Sequence, residues 1–373
     1  MTGQRSDQST VLAGILSGSA AAQLATIEHL AKPGFWPTKV SSPSEDFLGA
    51  AACGKCHPTI AATQAKGPMA RTPARVNEAE VLRSHPKLTF QQGPYRYEVV
   101  TSAVGSTYTV RDDSHSLSAS LLWVFGAGTV GQSYLYQHDG QWYEARVSFF
   151  GTLGNLNFTP GRALALPHTV EEAMSRPVSN TEVIGCFRCH AVGVTSESSL
   201  DTSHLFLGVS CEACHGAGRK HASAMQAEML LAGGPNGEID RELIIDPGQL
   251  GATDSVDFCG ACHSTWWDVR LSGKTGNSTV ISPGYRLENS RCWGKGDSRL
   301  ACVTCHDPHA PLEHRAEVYD SKCLGCHASV AGASAPDHPG AACPISKPVV
   351  PPATCPRWMF QSFIGRLQTT IFG

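Results

Sequence analysis

Cys186-Phe187-Arg188-Cys189-His190 and, 25 residues further on, Cys211-Glu212-Ala213-Cys214-His215 share one pattern, C-x-x-C-H, and the reading of the whole chain turns on it. The pattern recurs as Cys53-Gly54-Lys55-Cys56-His57, Cys259-Gly260-Ala261-Cys262-His263, Cys302-Val303-Thr304-Cys305-His306 and Cys323-Leu324-Gly325-Cys326-His327. The chain has 15 Cys and 16 His in 373 residues. At that content about 0.03 such matches arise by chance, so six copies are a designed feature. C-x-x-C-H is the attachment pattern of c-type haem: two thiols form thioethers to the vinyl groups, and the adjacent imidazole becomes the proximal iron ligand. The expected cofactor complement is therefore six covalently bound haem c groups. His57, His190, His215, His263, His306 and His327 are the expected proximal ligands.

Zinc is the competing explanation for paired cysteines, and 17 residues lie between Cys305 and Cys323, within the zinc-ribbon range. A ribbon needs no histidine directly after the second cysteine, yet all six pairs have one. Disulfides explain that histidine no better. Three cysteines, Cys292, Cys343 and Cys355, fall outside the motifs, and the odd remainder leaves at least one thiol free or linked between molecules.

Working outward, residues 1–45 form a leader and a Pro/Ser linker. Arg5, the apolar run Val11 to Leu16 and Ala20-Ala21-Ala22 have the order of a weak signal peptide; the alternative is a misassigned start. The uncharged stretch is too diluted by Ser, Gly and Gln for a membrane span. Residues 46–86 carry the first haem motif. Residues 87–160 are a β-rich insert, with strands expected over Tyr95 to Thr101, Thr107 to Arg111, Leu121 to Phe125, Gln132 to Gln137 and Trp142 to Phe149, and a hairpin turn at Asp139-Gly140. Residues 161–342 hold the other five motifs, with short helices expected at Val170 to Arg176 and His221 to Leu231. Residues 343–373 form an atypical tail. Gly126 to Gly131 matches G-x-G-x-x-G, but a strand and not a helix is expected next, so it reads as a loop.

The fold class expected from this pattern is a mainly α, irregular multihaem cytochrome c core with an all-β insert, α+β overall and low in regular structure. Charged residues are only 16%, with 37 Gly and 23 Pro, in keeping with a loop-rich chain. The formal charge of -3 gives no basic surface of the kind nucleic-acid binding needs.

A carrier and a catalyst differ at the sixth ligand, because an iron held by two side chains has no open position. Ten histidines remain after the proximal six, so supply exceeds demand. His221 and His309, close behind the third and fifth motifs, are the leading distal candidates. His314 and His338, flanking the last motif, come next, and His168 and His204 after them; Met69 is a candidate cap for the first haem, which lies far in sequence from the rest.

Phe47-Leu48-Gly49, Lys66-Gly67-Pro68-Met69-Ala70, Gly131 to Phe150, Cys186 to His190, His215-Gly216-Ala217-Gly218 with His221, and His306-Asp307-Pro308-His309 resemble the multihaem cytochromes c related to cytochrome c-554, in particular a branch with a β-insert after the first haem. The resemblance spans about residues 46–342. It implies periplasmic or cell-surface electron transfer, with His221 and His309 at distal-ligand positions. The expected partners are redox proteins or a quinol-linked donor and a terminal acceptor. Relatives commonly end in C-x-x-C-H-M-P-K, and Val349 to Trp358 back-translates, in a shifted frame, to such an ending. The tail accordingly reads as out of frame, with a seventh motif lost. Two rival functions stand beside the carrier: a multihaem oxidoreductase, acting on nitrogen or sulfur oxyanions or on peroxide at one open haem under the insert, and a subunit of an extracellular haem filament or other homo-oligomer.

Overall fold

The computed structural model describes residues 42–159, 166–195, 198–230, 243–279, 281–294 and 300–327. The leader, His29, His338, Cys343, Cys355 and the tail with its frameshift reading lie outside the described residues. The chain divides into two units, residues 41–244 with 303–373, and residues 245–302 with 1–40.

The first of these units is built on a ten-stranded antiparallel sheet. Its strands are β1 (Ala74–Arg75), β2 (Lys87–Gln92), β3 (Tyr95–Ser102), β4 (Gly105–Arg111), β5 (Ser116–Phe125), β6 (Gly131–His138), β7 (Gln141–Ala145), β8 (Val147–Phe150), β9 (Asn155–Phe158) and β10 (Ser175–Val178). The main order is β10-β7-β6-β5-β4-β3-β2, with β1 on β5 and β8 bridging β6 and β9. Alternation drives it: Tyr95, Tyr97 and Val99 on β3 and Tyr108 and Val110 on β4 are buried, while Arg96, Thr107 and Arg111 point to water. Asp139 and Gly140, both at positive φ, turn β6 into β7. Gly126 and Gly128, also at positive φ, lie in the β5–β6 loop, and no helix follows them.

The expectation of a mainly helical, irregular core is overturned by this sheet. Two physical reasons account for the difference. Short segments on both sides of the expected insert, β1 and β10, join the same sheet because β5 and β7 offer them backbone hydrogen bonds. The described helices run from 4 to 12 residues, too short to dominate the packing. The helix expected at Val170 to Arg176 stops at Met174, because Ser175–Val178 pairs with β7 as a strand.

A bulge in β5 between Leu121 and Trp123 shifts the alternation. Leu121 and Val124 consequently join the main core with Tyr134 and Tyr136, while Trp123 emerges on the other face. There it meets the helix Asn180–His190, whose Val183 and Phe187 complete a second cluster. After this helix, β11 (Ala191–Val192) pairs with β12 (Phe206–Leu207). Ala191 faces the second cluster and Val192 a third, with Phe47 and Ala213.

In the other unit, helices Ala252–His263, Trp266–Leu271, Pro283–Glu288, Arg291–Gly294 and the start of Cys302–Cys305 follow one another. Its buried apolar residues, among those described, are Val256, Val269 and Ala301. That is little apolar surface to offset the entropy of ordering these helices.

Candidate haem-binding sites

Each C-x-x-C-H motif lies on one helical turn or at a helix end. Where the whole motif is helical, as in the second, third and fourth, this places two sulfurs at i and i+3 and the imidazole at i+4, on one face of the helix. The second motif shows how the sequence builds this. Ser179 and Glu182 form a capping box, with Glu182 N–H donating to Ser179 Oγ at 3.2 Å and Ser179 N–H to Glu182 Oε2 at 3.0 Å. Arg176 adds an ion pair to Glu182 at 2.7 Å. Phe187, fully buried, meets Trp123 edge-on at 4.9 Å and Phe125 at 5.2 Å. Phe125 also lies 5.4 Å from the His190 ring. The sheet thus fixes the helix carrying Cys186, Cys189 and His190, and burial pushes the Cys186 thiol up to about 11.

The first and third motifs are neighbours despite their separation in sequence. The Cys53 and Cys211 thiols share a hydrogen bond, which pushes Cys53 up and brings Cys211 down to about 7. Gln64 Nε2 donates to Val209 O at 2.6 Å, and Val209 N–H donates to Met69 O at 2.9 Å. Glu212 is almost wholly buried; its carboxylate accepts N–H bonds from Leu48 (2.9 Å), Gly49 (2.8 Å) and Gly218 (2.8 Å). Burial raises Cys214 to about 11. Sequence reasoning missed Glu212, although it is the one acidic residue at a variable position of the six motifs.

Two pairs of imidazoles come together. The His57 and His221 rings are 6.5 Å apart, centre to centre, with planes 17° from parallel. His215 and His309 are 6.0 Å apart at 7°. Gly216, at φ 78°, ends the third-motif helix, and His221 follows in the first turn of the helix Arg219–Leu230. Asp307 Oδ1 accepts the His309 N–H at 2.8 Å and fixes the turn behind the fifth motif. Two imidazoles sharing one iron, each nitrogen about 2 Å from it, have ring centres roughly 6 to 6.5 Å apart. Both pairs meet this requirement, so the residues present fit bis-imidazole haem.

The remaining expected ligands are placed as follows. His306 faces Tyr319, whose ring is 5.6 Å away, and loss of water lowers its imidazole pKa. Tyr319 belongs to the helix Ala316–His327, which ends with Cys323, Cys326 and His327 of the sixth motif. In the other unit the fourth motif, Cys259, Cys262 and His263, ends the helix Ala252–His263. A hydrogen bond from Cys259 lowers the Cys302 thiol. His314 is exposed beside Glu313, and Met69 is 39% exposed. His204 is exposed and paired with Asp201 at 2.7 Å, and His168 is exposed with its N–H on Glu172. Cys292 is exposed.

Among the described residues, no group of three or more His, Cys, Asp or Glu is arranged to hold a metal ion, which two-imidazole ligation does not require. No described helix is long and apolar enough to cross a membrane. Residues 165–216, which contain the second and third motifs, match the family model Cytochrome c554 and c-prime, which relates this part of the chain to the c-type cytochromes. No curated protein and no solved structure matches the chain.

Proposed function

We propose that the chain is an exported six-haem cytochrome c that passes electrons between redox partners along closely placed haems. The observation that carries this reading is the separation of the two imidazole pairs, 6.5 and 6.0 Å, each joining a motif histidine to one outside the motifs. His57 and His221 would then hold the first iron, and His215 and His309 the third. Cys53, Cys56, Cys211 and Cys214 supply the thioethers. Bound haem supplies the one-electron ferric–ferrous couple. The protein's own part would be to hold each iron with two imidazoles and to fix the spacing between motifs. Glu212 and the Val209 contacts fix the first motif against the third, and Tyr319 links the fifth to the sixth.

Met69 is left as a packing residue under this assignment. Export follows from haem c chemistry, and the partners are redox proteins. A rapid-mixing experiment tests the reading: the reduced protein should pass electrons to a small cytochrome or a soluble acceptor without steady turnover of substrate.

One observation favours a catalytic second reading. A cleft of 510 Å³ lined by Arg75, Trp123, Trp142, Asn180 and Val183 opens beside the second-motif helix. Steady consumption of nitrite, hydroxylamine or peroxide, together with a high-spin haem, would favour that reading over the carrier.

A further inference from the structure

Glu212 is the least expected side chain in the described structure. Its relative exposure is 1%, and a carboxylate at that depth is costly unless its oxygens are satisfied. Both are satisfied, and by donors alone. Oε1 accepts from Leu48 N–H at 2.9 Å and Gly218 N–H at 2.8 Å; Oε2 accepts from Gly49 N–H at 2.8 Å and, more distantly, Leu48 N–H at 3.2 Å. A protonated acid or an amide would turn a hydrogen toward one of these N–H groups, so the site is shaped for an ionised carboxylate. The local backbone is arranged around it. A Cβ at position 218 would stand 3.2 Å from Oε1, and Gly49, at φ +77°, lies so close to Phe206 that a Cβ would fall 2.5 Å from its ring.

The donors come from two places in the sequence. Leu48 and Gly49 lead into the first motif, and Gly218 follows the third, so one charge sits where the two motifs meet. Its field reaches both. Backbone amides satisfy the oxygens but leave the net charge in place. The nearby Arg219 is engaged elsewhere, with Nε donating to Glu45 O and 4.0 Å from Asp46.

We propose that Glu212 is a positioning and charge-setting residue that lowers the reduction potentials of the first and third haems together. This inference rests on the haem reading above. A fixed negative charge stabilises ferric over ferrous haem, because oxidation adds one positive charge. At an effective dielectric of about 20, a unit charge roughly 10 Å from an iron changes the oxidised-to-reduced ratio by about tenfold.

The test uses holoprotein in which haem content is first measured by mass. In E212Q, two of the haems should show at least a tenfold rise in reduced over oxidised iron at fixed potential, which is about 59 mV for a one-electron couple. The other haems should not move. E212D, which keeps the charge, should stay near the wild-type values for the same two haems. Potentials unmoved in fully loaded E212Q, all potentials moving together, or E212D shifting as far as E212Q would each overturn the inference while leaving the haem reading intact. Wild-type protein lacking haem on the first and third motifs would instead overturn the haem reading itself, and the inference with it. If E212Q does not take up haem, the reduced-minus-oxidised infrared spectrum of wild-type protein labelled with ¹³C-glutamate replaces it. The expected result is a perturbed carboxylate band as two of the haems are titrated; no carboxylate response at any haem transition would overturn the inference.

Discussion

Replacing Phe187 by alanine should unfasten the second haem motif from the sheet. The ring is fully buried and contacts Trp123 and Phe125 edge-on at 4.9 and 5.2 Å. Truncating a buried Phe to Ala costs about 3–5 kcal/mol, of which two edge-to-face pairs supply about 1–3 kcal/mol. Against a typical domain stability of about 5–15 kcal/mol this is a large fraction. Urea unfolding followed by far-ultraviolet circular dichroism measures the loss. A double-mutant cycle with Trp123→Leu should return a coupling of about 0.5–1.5 kcal/mol, because each single change already removes the shared contact. Val104→Ala, at a position 99% exposed, serves as the control and should stay within about 0.5 kcal/mol of wild type. If Phe187→Ala costs less than about 1 kcal/mol, or if the cycle shows no coupling, the packing of this helix on the Trp123 face of the sheet is not what holds the motif in place.

His221→Ala and His309→Ala should each convert one iron to the high-spin form, and the double variant two, by low-temperature EPR of oxidised protein; unchanged spectra would remove both distal assignments. In the helical unit, burial and the neighbouring Asp257 push the Glu288 carboxyl up to about 8 from an ordinary value of 4.5. The folded state therefore holds a proton that the unfolded chain has released, and the associated stability, full below about pH 4.5, is lost as pH rises through about 8. Denaturation midpoints should fall over this range in wild type and fall less in Glu288→Gln, whereas parallel profiles would contradict the assignment.

The parts of this structure legible in the sequence are those set by short-range chemistry. Haem attachment demands two thiols and an imidazole at fixed spacing, so the six motifs stand out without any fold. The strands from Tyr95 to Gln137 were legible because tyrosines and valines alternate with polar residues, and Asp139-Gly140 marks a tight turn; the single strand expected over Trp142 to Phe149 is instead two, Gln141–Ala145 and Val147–Phe150. What the sequence concealed depends on pairing at a distance. Ala74–Arg75 and Ser175–Val178 are too short to show a period, and they are strands only because β5 and β7 offer them hydrogen bonds. The β5 bulge, which sends Trp123 to the face opposite Leu121, leaves no mark in the residue pattern. Closeness to the motifs pointed to His221 and His309, but nothing local joins His221 to His57, 164 positions away. Glu212 was hidden for the same reason: its donors, Leu48 and Gly49, come from the far end of the unit.

The central claim is haem at all six motifs. The most direct measurement is the mass of the denatured protein, matured with a full haem-attachment system, together with its pyridine haemochrome absorbance. The account predicts six haems per chain, retained after denaturation because each is held by thioethers. Four or fewer would contradict it.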